Sequence, residues 1–154
     1  MTSIKNRIDQ DLKNAMLAGD KSLATTLRGL KSSILYVEVA QNKRSEGLSD
    51  EDIVAILQKE AKKRQESADL YARGNNAEKQ NAELEEKAVI EQYLPPPVGD
   101  DELLEAVQQA IVGVNAVGIQ DMGKVIGIVK QQLGASADGS RIATVVKEKL
   151  TENT

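Results

Sequence analysis

All three prolines of the chain are consecutive, Pro95-Pro96-Pro97, and no other feature limits its fold as sharply. Three successive residues without a backbone donor, each biasing its predecessor toward extended geometry, cannot lie inside a helix. Composition shifts at the same point. Residues 1–94 carry 15 Lys+Arg against 16 Asp+Glu, whereas residues 95–154 carry 5 against 8 and are richer in glycine. The chain therefore reads as two helical subdomains, 1–94 and 100–154, joined by a stiff proline-rich linker over 95–99.

Helical spacing fills both parts. Ile4, Ile8, Leu12 and Met16 recur every four residues after Ser3, a good N-cap, and Gly19 ends that first helix. Asp20 restarts the chain, and Leu23, Leu27, Leu30, Ile34 and Val37 alternate spacings of four and three, a heptad-like seam running to about Lys43. Glu46-Gly47-Leu48 turns, and Ser49 with Asp50, Glu51 and Asp52 opens a third helix, because a hydroxyl cap followed by acids suits the positive end of the helix dipole. Gly74 closes it, and Ala77–Tyr93 forms an acid-rich fourth helix with Leu84, Ala88 and Ile90. Beyond the prolines, Asp100 or Asp101 caps a helix bearing Leu103, Leu104, Val107 and Ile111, and Asp121 caps the next. That helix is apolar almost all round (Met122, Val125, Ile126, Ile128, Val129, Leu133) and ends at Gly134. Asp138-Gly139-Ser140 leads into the last helix, with Ile142, Val145, Val146 and Leu150. No segment reads as a strand. The expected fold class is all-α: about four helices, then three.

Absent residues exclude whole chemistries. Among 154 residues there is no Cys, His, Trp or Phe, and the aromatics are Tyr36, Tyr71 and Tyr93. Disulfides, thiolate nucleophiles, zinc knuckles, imidazole bases and Ser/His/Asp triads are therefore ruled out. The formal charge of −4 argues against a wholesale electrostatic nucleic-acid binder but leaves room for a local basic face. No run approaches the ~20 apolar residues of a membrane span, and Met1–Lys13 is polar, so a cytoplasmic location is expected.

Three clusters carry the functional reading. Lys59-Glu60-Ala61-Lys62-Lys63-Arg64-Gln65-Glu66 spans two turns without a large apolar residue. Its Glu60–Arg64 and Lys62–Glu66 pairs make it either a self-paired solvated face or a phosphate-contacting ridge that Arg28 and Lys31 extend. Gly123 and Gly127, four apart, each cost about 1 kcal/mol relative to alanine inside a helix. Close helix packing is the favoured explanation; the alternative is a backbone left open to an RNA sugar-phosphate, with Lys124 and Lys130 supplying charge. Carboxylate groups such as Asp50-Glu51-Asp52 and Asp100-Asp101-Glu102 sit at helix starts and lack metal-ligand spacing. No catalytic residue, metal site or cofactor follows from the residues.

The chain resembles the YqeY-like (GatB/YqeY) family over nearly its whole length. The resemblance rests on Leu27-Arg28-Gly29-Leu30-Lys31, the stretch Leu57 to Ser67 with Tyr71, Ile90-Glu91-Gln92-Tyr93-Leu94-Pro95, Asp121-Met122-Gly123-Lys124-Val125-Ile126-Gly127, and Ala137-Asp138-Gly139 followed by Val146-Lys147. It implies an all-α protein whose C-terminal part is similar to the tRNA-contacting tail of the GatB component of the glutamine-dependent aspartyl/glutamyl-tRNA amidotransferase. It also implies an association with carbon–nitrogen ligase activity using glutamine as amido-N donor. The likeness is to the tail and not to the catalytic cradle, so amidation by this chain alone is not expected. The expected function is a non-catalytic tRNA- or aminoacyl-tRNA-binding accessory, using Arg28, Lys31, Lys59, Lys62, Lys63, Arg64, Lys124, Lys130 and Arg141. The alternative is a protein-interaction module docking on an amidotransferase or translation component. With few aromatics, RNA binding of this kind is weakly sequence-specific and salt-dependent.

Overall fold

A computed structural model of the chain describes residues 2–152; Met1 and Asn153–Thr154, the outer ends of the two expected subdomains, lie outside the described residues. Among the described residues there are seven α-helices and no strand. Helix α1 (Ile4–Ala18) starts where Ser3 Oγ accepts from Asn6 N at 3.2 Å and ends at Gly19, whose φ of 74° is the left-handed cap that glycine adopts without strain. Ile4, Ile8, Leu12 and Ala15 are buried, and Met16 is not. A strict four-residue row drifts about 40° per step on a 3.6-residue helix, so after three steps Ala15 faces the core in place of Met16.

Helix α2 (Lys21–Ala40) is capped by Asp20 Oδ1, which accepts from Leu23 N at 3.1 Å. It buries Leu27, Leu30 and Ile34 and stops three residues before the expected Lys43: Asn42 turns to a φ of 56° and Lys43 N donates to Glu38 O at 2.7 Å. Helix α3 (Asp50–Arg73) begins at the expected Ser49 cap, and Asp50 Oδ1 also accepts from Ile4 N at 3.1 Å, fastening the start of α3 to the start of α1. Ile53, Leu57 and Ala61 enter the core formed with α1 and α2. Further along α3 only Ala68 is buried, and there α3 runs beside helix α4 (Ala77–Glu91), whose one buried residue is Ile90. Leu84 and Ala88, expected on its apolar face, are only partly covered or exposed.

The chain divides into two compact units, Met1–Leu94 and Pro95–Thr154, each with its own apolar cluster. The second unit holds α5 (Asp100–Gly113), α6 (Met122–Leu133) and α7 (Gly139–Glu152) around Leu103, Val107, Val125, Val129, Ile142, Val146 and Leu150. The segment 95–99 is not wholly a spacer. Val98 is buried in the second cluster and its N donates to Ser136 O at 2.7 Å. One expected cap is displaced and another keeps its place without its bond. Gly99 occupies the N-cap of α5, Asp100 instead accepting from Arg141 at 2.6 Å, whereas Asp121 stands at the N-cap of α6 as expected but its Oδ2 accepts from Val117 N at 3.0 Å, closing the loop before the helix. For Asp100 the guanidinium is the stronger donor, a charge-assisted bond taking the place of one to a helix amide.

Candidate nucleic-acid interface

The nine cationic candidates fall into spent and unspent groups. Arg141 is spent: its guanidinium donates to Val98 O at 2.6 Å and to Asp100 Oδ1 at 2.6 Å, clamping the entry of α5 to α7. Arg64 is spent as well. It lies 3.4 Å from Glu60 on its own helix and 2.8 Å from Glu86 and 3.9 Å from Glu83 on α4, so one guanidinium answers three carboxylates. Lys63 pairs with Glu60 at 3.3 Å, and Lys31 with Asp9 of α1 at 2.8 Å. The expected Glu60–Arg64 pair is present, whereas Lys62 and Glu66 both extend exposed into solvent. Arg28 on α2, Lys59 and Lys62 on α3, and Lys124 and Lys130 on α6 are exposed and make no ion pair among the described residues. Because Lys31 leans onto α1, it does not continue the α3 ridge.

The expectation that Gly123 and Gly127 admit a neighbouring helix is not met. Both are exposed, and a Cβ added at either meets nothing within 4 Å. The physical reason lies in the register of α6. Val125 and Val129 point into the core, which turns positions 123, 127 and 131 outward as one row. Lys124 flanks that row on one side and Lys130 on the other, and α6 contains no carboxylate. The result is a bare strip of helix backbone bordered by two free cations. Its glycines are not explained by any contact the chain makes with itself.

One polar cluster was not singled out by the sequence reading. Tyr93 is buried, its O–H donates to Asp11 Oδ2, and the Arg7 guanidinium stands 5.3 Å from the ring centroid. Tyr93 and Asp11 border a hollow of about 360 Å³ beside Asn14, Asp20 and Leu23. Its acids are already engaged, Asp11 by Tyr93 and Asp20 by the amide it caps, so the cluster reads as a fastening between α1 and the end of α4. Only the tyrosine in Gln92-Tyr93-Leu94 hinted at it, since the partner lies 82 residues away.

Burial, then the hydrogen bond and charge of Asp11, hold the Tyr93 phenol well above its ordinary 10.0, against a weaker opposing pull from Arg7. The native state thus keeps a proton that the unfolded chain loses. This contribution is complete below pH 10 and declines above it, by about 1.4 kcal/mol per pH unit. Urea midpoints measured between pH 9 and 11.5 should show that decline, and Tyr93→Phe should remove it. Parallel pH profiles for the two proteins would mean that the phenol does not carry the effect.

The fold and these faces define a class: an all-helical protein of two small bundles that presents free cations on helix surfaces and gathers no metal-ligating cluster among the described residues. No helix among them is long and apolar enough to cross a membrane. The chain belongs to the YqeY-like family, whose model, described as Yqey-like protein, matches residues 5–150. It is similar to "Altered inheritance of mitochondria protein 41, mitochondrial" of Pyrenophora tritici-repentis (strain Pt-1C-BFP), at 27% identity over 148 residues, covering 92% of this chain and 78% of that protein.

Proposed function

We propose that the protein is a non-catalytic RNA-binding accessory whose preferred ligand is tRNA or aminoacyl-tRNA, held by shape and phosphate contact. The observation that carries this reading is the bare α6 strip, Gly123 and Gly127 between Lys124 and Lys130. A helix without Cβ atoms lets a ribose-phosphate chain reach the backbone surface, and flanking lysines supply the charge an anionic chain requires. The likeness of this segment to an amidotransferase tail that contacts tRNA supports the same reading. Lys59 and Lys62, free on α3, offer a second cationic surface in the other unit.

The test turns on a conflict between stability and function. Gly123→Ala and Gly127→Ala fill open space at helical positions, so each should stabilise the protein by up to about 1 kcal/mol. Gly123→Leu with Gly127→Leu should keep the fold and weaken tRNA binding at least about tenfold. The assay is titration of bulk tRNA against a duplex RNA control across a salt series. Saturable, tRNA-preferring binding with a steep salt slope is the expected result. Absence of tRNA binding at low salt overturns the reading, and full binding by the double leucine variant removes α6 from it.

A further inference from the structure

The outer face of α2 is as unexplained as that of α6, but its chemistry is different. From Lys21 to Ala40 the helix has one acid, Glu38, and it is buried, so no carboxylate is exposed on this face. Leu35, Tyr36 and Val39 are instead 43%, 78% and 58% exposed. Gly29, in mid-helix, is exposed too, and a Cβ there would meet nothing within 4 Å. Nothing inside the chain offsets its cost relative to alanine. Helical spacing sets Thr25, Ser32 and Val39 in one central row, with Arg28 and Leu35 on one flank and Gly29 and Tyr36 on the other.

We propose that this face is a homodimer interface in which α2 packs antiparallel on α2 of a second copy, about a twofold axis at Ser32. Such an axis brings together residues of the same flank on opposite sides of Ser32. Tyr36 then lies over the bare backbone of Gly29 in the second copy, Leu35 runs along the Arg28 stem, and Val39 meets Thr25. The reciprocal contacts complete the isologous pair. Each large side chain meets a small or flexible one.

Charge selects the occupant. At a twofold axis any charge meets its own copy, and the central residues Gly29, Ser32, Leu35 and Tyr36 carry none. The two Arg28 side chains stand ~12 Å apart along the axis, beyond the ~8–10 Å screening length. An anionic partner such as RNA would find only Lys21 and Arg28 on the face, since Lys31 is engaged by Asp9. It would also leave two aliphatic side chains unused. One helix face per copy lies at the low end of interface areas, so association is concentration-dependent, with a roughly micromolar dissociation constant.

Sedimentation velocity on the full chain from roughly 1 to 500 μM should follow a monomer–dimer equilibrium. Gly29→Leu fills the hole at an exposed position where a Cβ meets nothing within 4 Å, so it should raise the dissociation constant about tenfold or more while thermal stability does not fall. The chain has no cysteine, which makes a second readout direct. Ser32→Cys, on the axis, should oxidise to a covalent dimer. Thr25→Cys should not, its symmetry mate being ~21 Å away, whereas Thr25→Cys with Val39→Cys should. A monomer at every concentration without a Ser32→Cys cross-link overturns the proposal. So does equal cross-linking by Thr25→Cys, which indicates parallel pairing. A monomer in which Gly29→Leu weakens tRNA binding assigns the face to RNA and likewise overturns the dimer.

Discussion

Ile90→Ala should cost about 3–4 kcal/mol and release α4 along its length, because this is the one fully buried side chain that joins an acid-rich helix to the N-terminal core. Ile90 is fully buried in the cluster that holds Ile8, Leu27, Leu30, Ile53 and Leu57, and no other residue of α4 is buried. Removing three carbons there loses their transfer free energy and leaves a cavity among side chains from several helices, which cannot all collapse at once. What remains for α4 is Val89, partly buried against the same cluster, the half-covered Leu84, and polar contacts. Arg64 reaches Glu83 and Glu86, and Lys87 donates to Gln65 Oε1 at 2.8 Å. Such partly exposed contacts contribute a few tenths to 1 kcal/mol each. Denaturant titration gives the loss, and amide exchange should show lost protection across Ala77–Glu91. Leu84→Ala, partly covered and distant from the core, should cost no more than about 1 kcal/mol. A cost below 1 kcal/mol for Ile90→Ala, with α4 still protected, would place the anchor in the Arg64 ion-pair cluster instead.

The all-helical fold was legible because apolar spacing and helix caps are local signals. Ser3, Asp20 and Ser49 each cap the helix they announce, and Gly19 and Gly134 each end one with positive φ. Errors came where a residue had a better partner far along the chain. Asp100 resembles a cap in sequence, but Arg141 stands 41 residues away and takes it. For Arg64 spacing reveals Glu60 on its own helix but not Glu83 and Glu86 on α4, and for Arg141 it reveals neither Val98 O nor Asp100, both more than 40 residues away.

The candidate site was half legible, and for one reason. Two glycines four apart announce a surface where something must come close, but spacing alone does not say whether a helix or a ligand approaches. That depends on the register of α6, which Val125 and Val129 fix by pointing inward and so turning the glycines out. The role of Gly29 is hidden in the sequence for the same reason. Its meaning depends on its lying on the solvent side of α2, opposite Leu30 and Ile34, beside an unpaired Tyr36.

Lys5→Met should destabilise the protein by about 2–3 kcal/mol, the second large effect, through a charge no spacing rule revealed. The seam spacing puts Val37 after Ile34, yet Val37 is only half-buried and the residue that α2 buries there is Glu38, with its side chain 2% exposed. Lys5 Nζ of α1 lies 2.7 Å from Glu38 Oε1 and is 39% exposed on its outer side. Breaking a fully buried pair costs 3–5 kcal/mol, because the remaining charge is left in low dielectric. Water reaching Lys5 lowers that figure here. If the cost belongs to the stranded carboxylate and not to the lost lysine, removing the carboxylate as well should recover it. The double variant Lys5→Met/Glu38→Leu should return to within about 1 kcal/mol of the parent, since an apolar pair often replaces a buried ion pair without loss. Additive single and double variants in denaturant titration would show that the two charges are not coupled. Coupling of 1 kcal/mol or more would mean that the pair acts as a register pin: α1 can bury Ile4 and Ile8 against α2 in a shifted alignment only by abandoning Glu38 to the interior.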